Sequence, residues 1–220
     1  MRPHYVFDAY GTLFDVHAAA ARHRADIGPE ADRLSQIWRT KHLEYSWIHA
    51  QTGRHTSFWE LAGRSLDYAM AAVGVENDAL RAKLLSTYRV LDAYPEVAGV
   101  LADLKARGAT VSILTNGDPD MIADAVASAG IGPHLDAVMT VHEAGIYKPD
   151  PRVYDLVTRR FACRPGEVSF QSSNRWDIAG AHVAGFRTVW INRLGLPDEY
   201  PDMPAAHVIR SLAPLPVLQD

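Results

Sequence analysis

Cysteine is almost absent from this sequence, and long apolar runs are missing from it. The 220 residues include one cysteine, Cys163, so the chain can have neither an internal disulfide framework nor a cysteine cluster for zinc. No stretch approaches the roughly 18 apolar residues of a membrane-spanning helix, and the first residues lack the apolar segment of a signal peptide. We therefore expect a protein of the reducing cytoplasm that does not associate with a membrane.

An excess of positive charge is also missing. The 22 Lys and Arg residues are outnumbered by 26 Asp and Glu residues, and the net charge of −4 argues against a nucleic-acid-binding protein. None of the 10 histidines forms an HxxxH or similar pair on a predicted helix, so we expect no metal site. The hydrophobic fraction of 48% is ordinary for a globular protein.

The order of apolar patterns divides the chain into three stretches. Residues 5–10 indicate a short buried strand, residues 17–92 have a wholly helical pattern, and from Pro95 onward helices alternate with short β-rich runs. Alternation of this kind is typical of parallel βαβ units. The other predicted strands are 110–114, 137–141, 168–170, 188–191 and 207–209.

The helical stretch interrupts the alternation directly after the first strand, which indicates an insertion. We predict an α/β fold with a doubly wound, Rossmann-like parallel sheet, in which residues 1–15 and 93–220 form the core domain and residues 16–92 form an inserted helical cap. The longer cap helices are predicted at about 30–50, 57–73 and 78–91. One face of the first of these carries Arg39, Leu43 and Trp47.

Polar residues gather where four of the predicted strands end. In an open parallel sheet, ligands bind beyond the carboxyl ends of the strands, at the switch in strand order. We therefore predict the active site at this edge of the sheet. The residues there are Asp8 and Thr12 after the first strand, Thr115, Asn116 and Gly117 after the second, Lys148 after the third, and Ser172, Ser173, Asn174 and Asp177 after the fourth.

Asp8 is the candidate nucleophile. It follows the apolar residues 5–7, Gly11 permits a sharp turn behind it, and Thr12 can donate a hydrogen bond to its carboxylate. A carboxylate held in this way can form a covalent intermediate, which divides one difficult displacement into two steps. The alternative interpretation is an aspartate that only caps a turn.

The other strand ends predict a site for an anion. Thr115 and Asn116 precede a helix N-terminus, where free N–H groups and the helix dipole favour negative charge. The ammonium of Lys148 would neutralise Asp8 and a bound carboxylate together. Structural interpretations stay open for each of them: a loop with a helix cap, a solvated lysine and, for Asp177, an acid that stabilises the first turn of its helix.

Four segments resemble the motifs of the haloacid dehalogenase superfamily, and their order and spacing agree over essentially the whole chain. Within that superfamily the chain is most similar to the L-2-haloacid dehalogenases, which share its DAYGT start, the WRTK segment at residues 38–41 with LEY at 43–45, and the pattern SSNxWD. The four segments are DAYGTL at 8–13, TNG at 115–117, KP at 148–149 and SSNRWD at 172–177.

Two departures from the phosphatases of this superfamily favour the same family. Phosphatases place a second aspartate two residues after the nucleophile to protonate the leaving alcohol, and here that position is Tyr10. They also hold magnesium with a carboxylate four residues before the last aspartate, where this chain has Ser173. Phosphoryl transfer needs a metal to neutralise charge, whereas halide leaves without a proton.

The resemblance implies a mechanism without metal or cofactor. Asp8 would attack C2 of a short 2-haloacid with inversion, and water would then hydrolyse the aspartyl ester to release the 2-hydroxy acid. The implied catalytic residues are Asp8, Thr12, Lys148, Tyr154, Ser172, Asn174 and Asp177. The implied halide-binding residues are Arg39, Asn116 and Trp176. The implied substrate contacts are Tyr10, Leu43, Trp47, Phe58 and Thr115, where Trp47 and Phe58 fit the core of the cap equally well.

The resemblance also bears on the substrate and the assembly. Position 115 is threonine where the family more usually has serine, and we hypothesise that the added methyl group narrows the pocket toward two-carbon substrates such as chloroacetate or fluoroacetate. The expected partners are the haloacid, the halide product and a second copy of the chain in a homodimer.

Three other functions stay open on the sequence alone. A magnesium-dependent phosphatase has the same fold, and an azetidine-2-carboxylate hydrolase would use the same aspartyl-ester chemistry to open a strained ring. A catalytically silent binding module is the third alternative, and the filled motif positions argue against it.

Overall fold

The computed structural model describes residues 3–54 and 56–218 and divides into two compact units. The units are a core unit of Met1–Phe14, Ala93–Asn116 and Gly130–Asp220, and a helical unit of Asp15–Asp92 and Gly117–Ala129.

The core unit contains a six-stranded parallel sheet in the order β3-β2-β1-β4-β5-β6. Its strands are β1 (His4–Phe7), β2 (Thr110–Thr115), β3 (Ala137–Thr140), β4 (Val168–Ser172), β5 (Arg187–Ile191) and β6 (His207–Ile209). Its helices are α6 (Val97–Ala106), α8 (Pro151–Phe161) and α9 (Arg175–Val183), numbered along the whole chain. The predicted α/β class is confirmed, and a strand is present at each predicted place, although some bounds differ.

The strand order reverses on the two sides of β1. The chain passes from β1 to β2 and β3 on one side and then crosses to β4 on the other. The carboxyl ends of β1 and β4 therefore border the switch point at which α/β proteins bind ligands.

The first strand is shorter than the predicted range 5–10. It ends at Phe7, although the N–H of Asp8 still donates to the carbonyl of Gln171 at 2.9 Å. The carbonyl of Ala9 then accepts from the N–H groups of Thr12, Leu13 and Phe14. This tight turn takes the chain out of the sheet, so the residues after Phe7 form the loop of the site instead of a strand.

Aromatic side chains pack one face of the sheet against its helices. Phe170 of β4 meets the rings of Tyr154 from α8 and Phe186, at centroid distances of 5.8 and 6.1 Å. All three side chains are buried. This packing holds α8 against β4.

All the regular secondary structure in the described part of the helical unit is helical. They are α1 (Ala18–Arg22), α2 (Arg24–Ile27), α3 (Ala31–Gln51), α4 (Phe58–Ala72), α5 (Asp78–Arg89) and α7 (Pro119–Ser128). The three longer predicted cap helices are confirmed as α3, α4 and α5.

Helix α7 belongs to the helical unit, whereas we predicted residues 93–220 to lie together in the core domain. Polar contacts explain the difference. Arg89 at the end of α5 pairs with Asp120 and Asp124 of α7, at 2.8 and 2.6 Å. Asp118 makes no side-chain cap on its own helix. Its carboxylate accepts instead from the N–H groups of Phe58 and Trp59 at the start of α4.

A buried histidine lies in the core of the helical unit. His42 of α3 stacks on Phe58 at a centroid distance of 3.8 Å, and its Nε2 lies 2.9 Å from the Phe58 carbonyl, to which it donates as the neutral tautomer. The ring of Tyr88 lies at 5.9 Å. Burial, together with the positive charge of Arg39, lowers the pKa of His42 to about 3.

No helix in the described part of the chain combines the length and the apolar character that crossing a membrane requires. The cytoplasmic location and the homodimer stay predictions.

The buried His42 predicts a loss of stability in mild acid. Its pKa is lower in the folded state than in the unfolded chain, so the unfolded state binds more protons between about pH 6.5 and pH 3. The stability contributed by neutral His42 is therefore present above pH 6.5 and is lost as the pH falls. We expect His42→Gln, which keeps a donor for the Phe58 carbonyl, to remove a slope of up to about 1.4 kcal/mol per pH unit.

The measurement is the free energy of unfolding in urea from pH 7.5 to pH 5. His142→Gln, at an exposed histidine, is the control and should keep the wild-type slope. An unchanged slope in His42→Gln would show that His42 is not the residue responsible.

Candidate active site

The carboxylate of Asp8 is held by three donors at the end of β1. Lys148 Nζ lies 3.1 Å from Oδ1, whereas Thr12 Oγ1 and Asn174 Nδ2 each lie 2.9 Å from Oδ2. Asp8 is 5% exposed. The carboxylate is thus fixed in orientation but still reaches the surface of the core unit.

Lys148 shares its ammonium between two carboxylates. Besides Asp8, it donates to Oδ2 of Asp177 at 2.9 Å, and both Lys148 and Asp177 have fully buried side chains. Burial favours the neutral amine, but the charges of Asp177 and Asp8 outweigh it and raise the pKa of Lys148. The lysine therefore stays protonated and neutralises part of the charge on both acids.

Asp177 completes this cluster from the first turn of α9. Burial is the main cause that raises its pKa above the usual range, and the charge of Asp8 adds to it, while Lys148 acts in the opposite direction. Tyr154 donates to Oδ1 of Asp177 at 2.7 Å. Burial and the charge of Asp177 raise the pKa of Tyr154 well above its ordinary value, so the tyrosine remains a donor.

The side-chain amide of Asn116 has an N–H group with no acceptor among the described residues. Its Oδ1 accepts from the N–H of Lys148 at 3.0 Å, which fixes the orientation of the amide. Its Nδ2 is buried and has no hydrogen-bond partner among the described residues. Buried donors are seldom left unsatisfied, so this amide is suited to a bound anion.

Ser173 occupies the position where the phosphatases hold a metal with a carboxylate. Its hydroxyl donates to the carbonyl of Gly11 and lies 3.1 Å from Thr12 Oγ1, and its N–H donates to Thr12 Oγ1 at 2.8 Å. The hydroxyl of Ser172 accepts from the N–H of Asn174. Neither serine offers the charged oxygen that magnesium prefers.

Comparison with known proteins identifies the family. Residues 3–185 match the haloacid dehalogenase-like hydrolases. The chain is 47% identical over 214 residues to (S)-2-haloacid dehalogenase 1 of Pseudomonas sp. (strain CBS-3), an alignment that covers 97% of this chain and 94% of the relative. The chain belongs to the (S)-2-haloacid dehalogenase family.

Two further similarities bear on the chemistry. Haloacetate dehalogenase H-2 of Moraxella sp. (strain B) is 35% identical over 86% of this chain and 85% of its own length. The structure of the L-2-haloacid dehalogenase of Xanthobacter autotrophicus with chloropropionic acid covalently bound superimposes with a TM-score of 0.89, at 33% identity, and covers 99% of this chain and 98% of that one. The predicted family and enzyme class are confirmed.

The core unit brings together most of the residues that the family resemblance implied. Hydrogen bonds connect Asp8, Thr12, Lys148, Tyr154, Asn174 and Asp177, and Ser172 and Asn116 join them through backbone groups. Thr115 is fully buried at the end of β2, Tyr10 is buried in the turn, and Trp176 is half-buried in the first turn of α9.

The remaining predicted residues lie in the helical unit. Phe58 is 1% exposed and belongs to the core of that unit, whereas Arg39, Leu43 and Trp47 are half-buried along α3. Their part in substrate or halide binding stays a prediction.

One residue that contacts this network was missed from the sequence. Arg193 follows the end of β5 and donates to the carbonyl of Thr12 at 3.1 Å. The rule that located the other residues, polar side chains after strand ends, would have found it if the fifth strand end had been included.

The contact between Tyr154 and α9 depends on Gly180. A Cβ atom there would lie 2.5 Å from the Tyr154 hydroxyl and 2.8 Å from Cβ of Pro149. We expect Gly180→Ala to displace the hydroxyl from Asp177 and to destabilise the protein by about 1–3 kcal/mol, measured by urea unfolding.

The matched control is Gly99→Ala in α6, where an added Cβ meets no atom within 4 Å. This control should stabilise the protein by up to about 1 kcal/mol. In a Tyr154→Phe background Gly180→Ala should cost less, and an equal cost in both backgrounds would contradict the role assigned to the hydroxyl.

Proposed function

We propose that this protein hydrolyses short-chain (S)-2-haloacids to 2-hydroxy acids with inversion at C2, through an ester on Asp8 and without a metal. The observation that carries the proposal is the geometry of the Asp8 carboxylate, which is oriented by three donors, one of which is a buried ammonium. In addition, Tyr10 and Ser173 occupy the positions where phosphatases carry acids. A carboxylate in this setting is suited to attack carbon that bears a leaving group needing no proton.

In the first step an oxygen of Asp8 displaces halide from C2. The new C–O bond forms as the carbon–halogen bond breaks, and the electron pair leaves with the halide. The side-chain N–H of Asn116, which has no acceptor among the described residues, would donate to that halide. The family resemblance assigns Arg39 and Trp176 to the same anion. The substrate carboxylate would bind beside Thr115.

In the second step water attacks the carbonyl carbon of the ester. The ester bond between this carbon and its oxygen breaks, so the product hydroxyl keeps an oxygen that came from Asp8. Asp177, which Lys148 joins to Asp8, would take the proton of the water and pass it to the departing hydroxyl oxygen, and its raised pKa favours this uptake. Lys148 would stabilise the negative charge that develops on the carbonyl oxygen, because its ammonium already contacts Asp8.

Metal independence is proposed from the donor set. Lys148 Nζ contacts both carboxylates of the site, and the third position is the neutral Ser173. Magnesium would find the carboxylates of Asp8 and Asp177 but not the third carboxylate, which the phosphatases carry at the position of Ser173.

Halide release from the two enantiomers of 2-chloropropionate tests the proposal. We expect the purified enzyme to release chloride from the (S)-enantiomer in the presence of EDTA and to form (R)-lactate. Asp8→Asn should lower kcat at least about 10³-fold because the nucleophile is lost, whereas Asp202→Asn, at an exposed aspartate, should leave it unchanged. Retention at C2, or EDTA-sensitive hydrolysis of p-nitrophenyl phosphate, would overturn the proposal.

A single turnover in ¹⁸O-labelled water separates the ester route from direct attack by water. With enzyme in excess over substrate, the lactate should carry no label and the label should appear in Asp8, as read by mass spectrometry of the peptide. Labelled lactate from the first turnover would eliminate the ester intermediate.

The buried Thr115 predicts a preference for small substrates. We expect Thr115→Ser to raise kcat/KM for 2-chloropropionate relative to chloroacetate by about tenfold, since removal of one methyl group relieves roughly 1–3 kcal/mol of crowding. The ratio of the two kcat/KM values is the measurement, and an unmoved ratio would rule out this role for the methyl group.

A further inference from the structure

Three successive carbonyl groups in the turn after Asp8 each accept a hydrogen bond from a side chain. Asn174 Nδ2 lies 3.3 Å from the Tyr10 carbonyl, the Ser173 hydroxyl donates to the Gly11 carbonyl, and Arg193 Nη2 lies 3.1 Å from the Thr12 carbonyl. Asn174 and Ser173 belong to the sequence motifs of the site, whereas Arg193 lies outside them.

Arg193 is itself held on two sides. Its Nη1 donates to Oε1 of Glu96 at 2.7 Å, and its guanidinium lies over the ring of Tyr94 at 3.7 Å from the centroid. Glu96 Oε1 also accepts from the N–H of Leu212. The planar fork of the arginine therefore approaches Thr12 in one orientation, which a flexible ammonium would not keep.

Thr12 connects this arginine to the nucleophile. Its side chain is fully buried and donates to Oδ2 of Asp8 at 2.9 Å, while its carbonyl accepts from Arg193. The residue is thus fixed at both its carbonyl and its hydroxyl. A shift of its peptide group would move the hydroxyl that orients the attacking carboxylate.

We propose that Arg193 is a positioning residue for the nucleophile, acting through Thr12 on the orientation of Asp8. The inference rests on the proposed function, because it assigns Arg193 a part in the same displacement. Arg193 is not a catalytic residue, since its contacts are to Thr12, Glu96 and Tyr94 and not to Asp8.

A double-mutant cycle with Thr12→Val tests the proposal. Arg193→Met keeps the length of the side chain and removes its donors, and we expect it to lower kcat for (S)-2-chloropropionate about tenfold with less than about a twofold change in KM. In the Thr12→Val background, where no hydroxyl is left to position, the same change should lower kcat by less than about threefold. Arg193→Lys should recover only part of the loss.

Lys105→Gln is the matched control for lost stability. Lys105 pairs with Asp136, which precedes β3 at the amino ends of the strands, so the control breaks an ion pair of the core unit at the opposite edge of the sheet. It should lower the free energy of unfolding without lowering kcat.

If circular dichroism shows that Arg193→Met does not fold, Glu96→Gln takes its place in the cycle, with an expected loss in kcat of about threefold.

The outcomes separate this inference from the proposed function. Wild-type kcat in Arg193→Met, or an equal loss with and without the Thr12 hydroxyl, overturns the positioning role while chloride release by the wild type still supports the dehalogenase. An absence of chloride release by the wild type overturns the proposed function and this inference with it.

Discussion

The side chain of Lys148 carries a positive charge into the interior of the core unit, where none of it is exposed. Taking an ion out of water costs several kcal/mol, and removal of one partner from such a pair typically costs about 3–5 kcal/mol, because it leaves an unpaired charge. Asp8 and Asp177 therefore hold the ammonium in place, and the ammonium in turn keeps two like-charged carboxylates close together. The local structure of the site is built around these three groups.

The surrounding helices and strands supply the groups that surround and hold this charge cluster. Helix α8 supplies Tyr154, whose hydroxyl satisfies the second oxygen of Asp177, and Gly180 of α9 leaves the space for it. Asn116, after β2, accepts from the N–H of Lys148. Elements that are distant along the chain thus meet at the edge where β1 and β4 end.

Ser173, next to this cluster in the sequence motif, is where the site differs from that of the superfamily's phosphatases. A phosphoryl group spreads negative charge in its transition state and needs a metal to neutralise it. The hydroxyl of Ser173 donates to the Gly11 carbonyl and lies close to Thr12 Oγ1, so this position has no carboxylate oxygen for that metal.

The sequence by itself determined the strands, the longer helices and the edge at which the site lies, because apolar periodicity and residues such as Asp8 after an apolar run act within a few neighbouring positions. It did not determine that Asp118 caps α4 and that α7 groups with the helical unit, nor that Gly180 makes room for Tyr154. It also left out Arg193, which reaches Thr12 across 181 positions. Such contacts join residues far apart along the chain, and only the tertiary structure decides which of them meet.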